Sequence, residues 1–203
     1  GGLSEPWAAL RRSPELAKVA LAAAVKETAV ALVYALVVGP LKTQLWQERQ
    51  SELQAKMAML QAGFATLSTY FFGRFVDTAD RRFAAIVWGA FGFIPIFALL
   101  LAGLNETGLW LFMWLSVLSS LGSASNVMLL LARDVVFSQD REVAFGVFFA
   151  LKTFFSLFGQ SVPILLIVVL RVVPSDPFSA LMLQSGLAIL FCVLVATVRL
   201  ADG

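Results

Sequence analysis

Lys26 and Glu27 stand side by side inside an apolar run that extends from about Val19 to Val38. Successive residues of a helix point about 100° apart, so at least one of these charges faces something other than lipid. A charge at membrane depth is expensive to bury and by default marks a site for an ion, a proton or a charged solute. The competing reading for Lys26 is that its stem carries the ammonium back to the interface, which lies only about two turns away. Lys152 is a further cation, in the cytosolic half of the run Val143–Leu170. It would neutralise Glu27 if the two met, attract an anionic solute if alone, or pair with a carboxylate outside this sequence. Gln61, Gln160 and Gln184 read more simply as hydrogen bonds between helices. A second chemical feature is the stretch Gly73–Arg82, GRFVDTADRR, where charges crowd between two apolar runs.

The residues that are missing exclude several chemistries. The chain has no histidine, so Ser-His intramembrane proteolysis, His-ligated haem and zincin-type hydrolysis lack their base or ligand. Cys192 is the single cysteine and cannot form an internal disulfide. No P-loop and no Cys/His cluster occurs, and no pair of carboxylates sits where a protected cleft is expected. The expectation is a protein that is not an enzyme, with no cofactor, no metal and no nucleic-acid partner.

Sixty per cent of the 203 residues are hydrophobic, against about half in soluble domains. The partner implied is the lipid bilayer, and the fold class expected is an all-α membrane protein. A span needs about 20 apolar residues, and six runs qualify: about 19–38, 53–72, 83–104, 109–131, 143–170 and 178–198. Runs this long can only satisfy their backbone groups as helices, and the alternating ten-residue pattern of a membrane β-barrel is absent. Residues 1–17 read as an interfacial lead-in, 18–199 as the transmembrane domain and 200–203 as a tail. The opening Gly1-Gly2 gives the expectation of a fragment or a processed product.

Local signals set the expected boundaries. Ser13-Pro14-Glu15 is a helix start, with a hydroxyl cap, Pro in the first turn and an acid near the positive helix end. Gly39-Pro40 is expected to end the first helix, 41–52 to be a polar loop, and Ser51-x-x-Gln54 to be a capping box for the second. Pro95 predicts a kink. Asn105–Gly108 is a tight turn, and its sequon Asn105-Glu106-Thr107 sits on a turn too short for glycosylation. The small residues of Ser119–Ser125 favour close packing, 132–142 reads as a charged loop, and Asp176-Pro177 as the start of the last helix.

Lys and Arg concentrate on the cytosolic side of membrane proteins. With the N-terminus inside, nine basic residues fall on inner segments: Arg11, Arg12, Lys18, Arg74, Arg81, Arg82, Arg133, Arg141 and Arg199. Four fall outside: Lys42, Arg49, Lys56 and Arg171. Both termini and the Gly73–Arg82 stretch are therefore expected to be cytosolic.

The stretch Gly73-x-x-x-Asp77-x-x-x-Arg81-Arg82 resembles the signature loop of major facilitator superfamily transporters, roughly G-x-x-x-D-x-x-G-R-R. Thr78 stands where a basic residue is common, and Asp80 replaces the second Gly. The position between the second and third runs is similar to that in the family. So is the passage from Arg133-Asp134 through Asp140-Arg141-Glu142 to Ala144-Phe145-Gly146, which looks like the second cytosolic loop of a half. The resemblance covers most of the chain and implies one six-helix half of a twelve-helix transporter. The lead-in Glu5-Pro6-Trp7 to Lys18 looks like the entry to a seventh span. The antiporter signature of the fifth span is not met, since Gly159 precedes Gln160 and Pro163 comes later. Both features point to the C-terminal half.

In that family the first and fourth spans of a half line the central cavity. This adds Tyr34, Ser123 and Asn126 to Glu27, Lys26 and Lys152 as cavity candidates. Gly73, Asp77, Arg81 and Arg82 would form a conformational latch. Asp77 would face the positive end of a neighbouring helix, Arg81 and Arg82 would pair with Asp134, Asp140 or Glu142, and Gly73 would permit close helix approach. The expected function is secondary active transport of a small solute by alternating access, with a second six-helix half as partner. The alternative is a non-transporting membrane scaffold or assembly subunit, in which Lys26 and Lys152 pair across a protein interface.

Overall fold

The structure is a computed structural model and describes residues 8, 10–123, 127–139, 161 and 177–200. All regular structure among them is helical. In chain order the elements are α1 (Pro14–Val33), a π-helical segment (Tyr34–Val38), α2 (Gly39–Trp46), a 3-10 turn (Gln47–Arg49), α3 (Gln50–Thr78), α4 (Arg81–Ala102), α5 (Glu106–Ser123), α6 (Val127–Gln139) and α7 (Pro177–Ala196). Three stretches are long and apolar enough to cross a membrane: Pro14–Trp46, Arg81–Ala102 and Pro177–Ala196. The expected run 53–72 lies inside α3, and 109–131 is shared between α5 and α6. The run 143–170 lies outside the described residues, with Lys152, Gln160 and Pro163.

The first helix starts as its sequence dictates. Ser13 Oγ accepts from Leu16 N at 3.2 Å, Pro14 occupies the first turn, and Glu15 lies beside it. Its end differs from expectation. Gly39-Pro40 does not stop the helix; the chain continues to Trp46 through the π segment. Proline lacks an N–H, and its ring would clash with the carbonyl four residues back. A wider turn relieves this, and Gly39 N–H reaches back to the Tyr34 carbonyl. A Cβ on Gly39 would lie 3.1 Å from that carbonyl, so glycine fits the wide turn best. The residues expected as a polar loop are consequently helical, and Ser51 lies within α3, whose N-cap is Arg49 without a side-chain cap bond. Proline also fails to interrupt α4, which runs through Pro95.

Charged residues do not end helices here either. α3 continues through Gly73 and Asp77 to Thr78, so the stretch expected as a ten-residue loop is a helix end, a break at Ala79-Asp80 and a helix start at Arg81. Ala132–Gln139, expected as loop, belongs to α6.

The α4–α5 turn is tight. Gly103 ends α4 at φ 87°. Asn105 Oδ1 accepts from Gly108 N at 2.9 Å, and its Nδ2 donates to Ala102 O at 2.9 Å. The sequon asparagine is thus held by the turn on both sides of its amide.

α1 packs against α7, α4 lies between α5 and α7, and α3 rests on α5. Buried Ala20, Ala22, Ala23, Ala24 and Ala29 keep the α1 surface low, which lets helices approach closely. The core divides into two clusters. One surrounds Leu16, Val19, Leu131, Phe191 and Val198, and the other surrounds Val33, Leu41, Ile96, Phe112 and Leu181. Large apolar side chains such as Met59, Leu67, Phe71, Leu101 and Ile189 point outward, as a lipid-facing surface requires.

Candidate functional site

Two groupings of charge stand out, one at an end of the bundle and one in its interior. At the end, the break between α3 and α4 places Arg81 at the first position of α4. Its Nε donates to Asp134 Oδ2 on α6 at 3.1 Å. Its NH1 donates to the Val76 carbonyl in the last turn of α3, where the helix dipole favours a cation. The Asp77 carboxylate lies 4.0 Å from the same guanidinium. One side chain therefore touches three helices. The other Asp134 oxygen accepts from Arg133 NH2 at 3.3 Å, so the carboxylate is held from both sides.

Asp80 explains the departure from the glycine of the family pattern. Its Oδ1 accepts from Arg82 N at 2.7 Å and Phe83 N at 3.2 Å, which caps α4. Its Oδ2 lies 3.1 Å from Arg82 NH2. The Arg82 side-chain bond, with those backbone bonds, holds the Asp80 carboxyl below the usual aspartate range. The Asp77 side chain is 76% exposed. Among the described residues, a Cβ on Gly73 would meet nothing within 4 Å.

Close approach occurs instead at Gly89 and Gly92 on α4. A Cβ on Gly89 would overlap the Phe191 ring of α7, and one on Gly92 would lie 2.7 Å from Lys26 Cε. Lys26 is 9% exposed. Its ammonium sits 3.6 Å from the centroid of the Trp88 ring and 3.4 Å from Glu27 Oε1. It does not run back to the interface. It is held in a notch of α4 made by Trp88 and Gly92, at the seam where the first core cluster meets Val30 of the second. Glu27 lies at the rim, with its side chain 47% exposed. Tyr34 packs edge-on against Phe112 of α5 at 5.4 Å. Among the cavity candidates, Lys26 and Glu27 are adjacent partners and Tyr34 lies apart with α5. Asn126 and Lys152 fall outside the described residues, and the side chain of Ser123 is not described.

A third cluster escaped the sequence reading. Glu15 Oε2 accepts from Arg199 N at 2.7 Å, and Lys18 Nζ donates both to Glu15 Oε1 at 3.0 Å and to Thr197 O at 3.1 Å. These bonds tie the start of α1 to the end of α7. The sequence shows an acid and a lysine one turn apart, but not the C-terminal carbonyl they reach.

No family model, no curated protein and no solved structure matches this chain.

Proposed function

We propose that this chain is one six-helix half of a secondary transporter of the major facilitator type, moving a small solute by alternating access. The observation that carries the reading is the Arg81 guanidinium, which joins the ends of α3, α4 and α6 through the Val76 carbonyl and Asp134. A contact of this kind at one end of a helical bundle favours one packing of the helices. Partly exposed ion pairs contribute about 1 kcal/mol or less, which suits two states that must stay nearly balanced. Both termini are proposed to be cytosolic, together with this end. Lys26 and Glu27 would provide the charge at membrane depth, and Lys152, Asn126 and Tyr34 remain further candidates for the solute path. The second half would come from the same longer polypeptide or from another copy.

The test is solute-counterflow or uptake in proteoliposomes holding the full natural polypeptide. Asp134→Asn and Asp77→Asn are expected to slow uptake several-fold while insertion is unchanged. Unchanged uptake in Asp134→Asn would remove the latch. Glu27→Gln is expected to abolish any proton coupling.

One observation favours the alternative, a non-transporting scaffold. Lys26 is already closed in by Trp88, Gly92 and its neighbour Glu27, which is the arrangement of a neutralised packing element. Stable co-purification with other polypeptides, without solute binding, would choose that reading.

A further inference from the structure

The far end of the first span carries a pair of hydrogen-bond donors that the transport reading does not use. Lys42 and Trp46 lie four residues apart on α2, so they share one face. Lys42 is only 6% exposed. Its Nζ lies 5.2 Å from the Tyr34 ring centroid, and no carboxylate of a described side chain comes within 4 Å of it. Trp46 is 5% exposed, and its indole N–H is buried with no acceptor. Its ring stacks at a tilt on Trp110 of α5, with centroids 5.3 Å apart. The acid on that facing helix, Glu106, is engaged by Trp110 Nε1 at 3.4 Å. A buried N–H without an acceptor is costly, and on the same helix face stands a lysine with no carboxylate partner among the described side chains.

Position narrows what would satisfy them. Lys42 stands 28 residues after Pro14, which is about 42 Å along the helix at about 1.5 Å per residue. The hydrocarbon core is about 30 Å thick, so Lys42 and Trp46 reach headgroup level. Lysine and tryptophan concentrate there because each has an apolar body and a polar tip. Aromatic rings of Tyr34 and Trp110 stand beside the two donors, which favours an anion with an attached or adjacent apolar body.

We propose that Lys42 and Trp46 bind a phosphate-type oxyanion at the membrane surface, Lys42 supplying the charge and Trp46 Nε1 a hydrogen bond. A lipid headgroup and free phosphate present the same chemistry to the two donors. The site stands independently of the transport reading.

The experiment is calorimetric titration of the full polypeptide in neutral detergent with dioctanoyl phosphatidic acid, with dioctanoylglycerol and with inorganic phosphate. Phosphatidic acid is expected to bind, and dioctanoylglycerol, which lacks the phosphate, is not. Trp46→Phe keeps the ring stack and is expected to weaken binding about tenfold, and Lys42→Met about a hundredfold, as loss of a charge-assisted donor implies. Lys42→Arg is expected to retain binding, which separates lost charge from lost folding. Binding of phosphatidic acid alone would assign the site to a lipid, and binding of inorganic phosphate as well would assign it to the free oxyanion. Absence of binding by both phosphates, equal binding of dioctanoylglycerol, or unchanged affinity in Lys42→Met would overturn the proposal.

Discussion

At the residue scale, the two close-approach glycines of α4 should respond differently to the same added methyl group. Gly89 faces the Phe191 ring, a stiff body packed between Trp88 and Phe93. Overpacking such a site costs about 1–3 kcal/mol. Gly92 faces the end of the Lys26 side chain, which can swing away. Gly89→Ala is therefore expected to lower the unfolding temperature in detergent clearly, with Phe191→Leu restoring part of the loss, whereas Gly92→Ala has a smaller effect. Equal losses at the two positions would show that Lys26 is as rigidly held as Phe191. The lysine itself offers a complementary measurement. Replacing a buried ion pair by apolar side chains is often neutral or stabilising, and Glu27, the partner that Lys26→Met leaves behind, is 47% exposed rather than buried. Lys26→Met should thus leave the unfolding temperature unchanged or raise it, and a loss of solute uptake in the same variant would then reflect function rather than folding. Lys26 was legible in the sequence as a charge in an apolar run. Its partners Trp88 and Gly92 were not, because they lie about 60 residues away and only the α1–α4 packing brings them together.

At the element scale, starts were easier to read than ends. Ser13-Pro14 begins a helix because a cap and a missing N–H act locally. Gly39-Pro40 and the charged stretches misled because a helix can absorb a proline through a π turn, and because a charged face does not stop a helix that continues beyond the apolar layer. The sequence likewise pointed to Arg81 and to Asp134 among the acids it would meet, but did not single out Asp80, which caps α4. That assignment is testable. Removing a carboxylate N-cap costs about 1 kcal/mol, so Asp80→Ala should destabilise α4 by that amount, with Asp77→Ala much less harmful. The pH dependence has a definite sign. The folded Asp80 pKa is lowered, chiefly by Arg82, so its contribution is present above the unfolded value of about 3.9 and is lost as pH falls through the lower folded value. Stability followed from pH 6 to pH 2 should therefore fall more steeply for the natural chain than for Asp80→Asn, which keeps a capping oxygen without a titrating group. Parallel curves would show that the cap carries no charge-dependent stability.

At the scale of the whole molecule, the contacts sort the chain into two ends. Glu15 with Arg199, and Arg81 with Asp134, lie where α1 and α4 begin and α7 finishes. Trp46 with Trp110, and the turn at Gly103–Asn105, lie at the other. The basic residues counted as inner in the sequence include Lys18, Arg81, Arg133 and Arg199, and the structure gathers these at the first end. Charge counting needs only the order of the runs, so errors of several residues in their boundaries move no lysine or arginine across the layer. α4 spans 22 residues, about 33 Å at about 1.5 Å per residue, which matches a hydrocarbon core of about 30 Å. The two ends should then lie on opposite faces of the membrane. In a Cys192→Ala background, Thr78→Cys and Thr107→Cys place a single thiol at exposed positions on either end. Thr78→Cys is expected to react with an impermeant maleimide only from the cytosolic side, and Thr107→Cys only from the other. Labelling of both from one side would mean that α4 does not cross the bilayer, and the six-helix arrangement would fall with it.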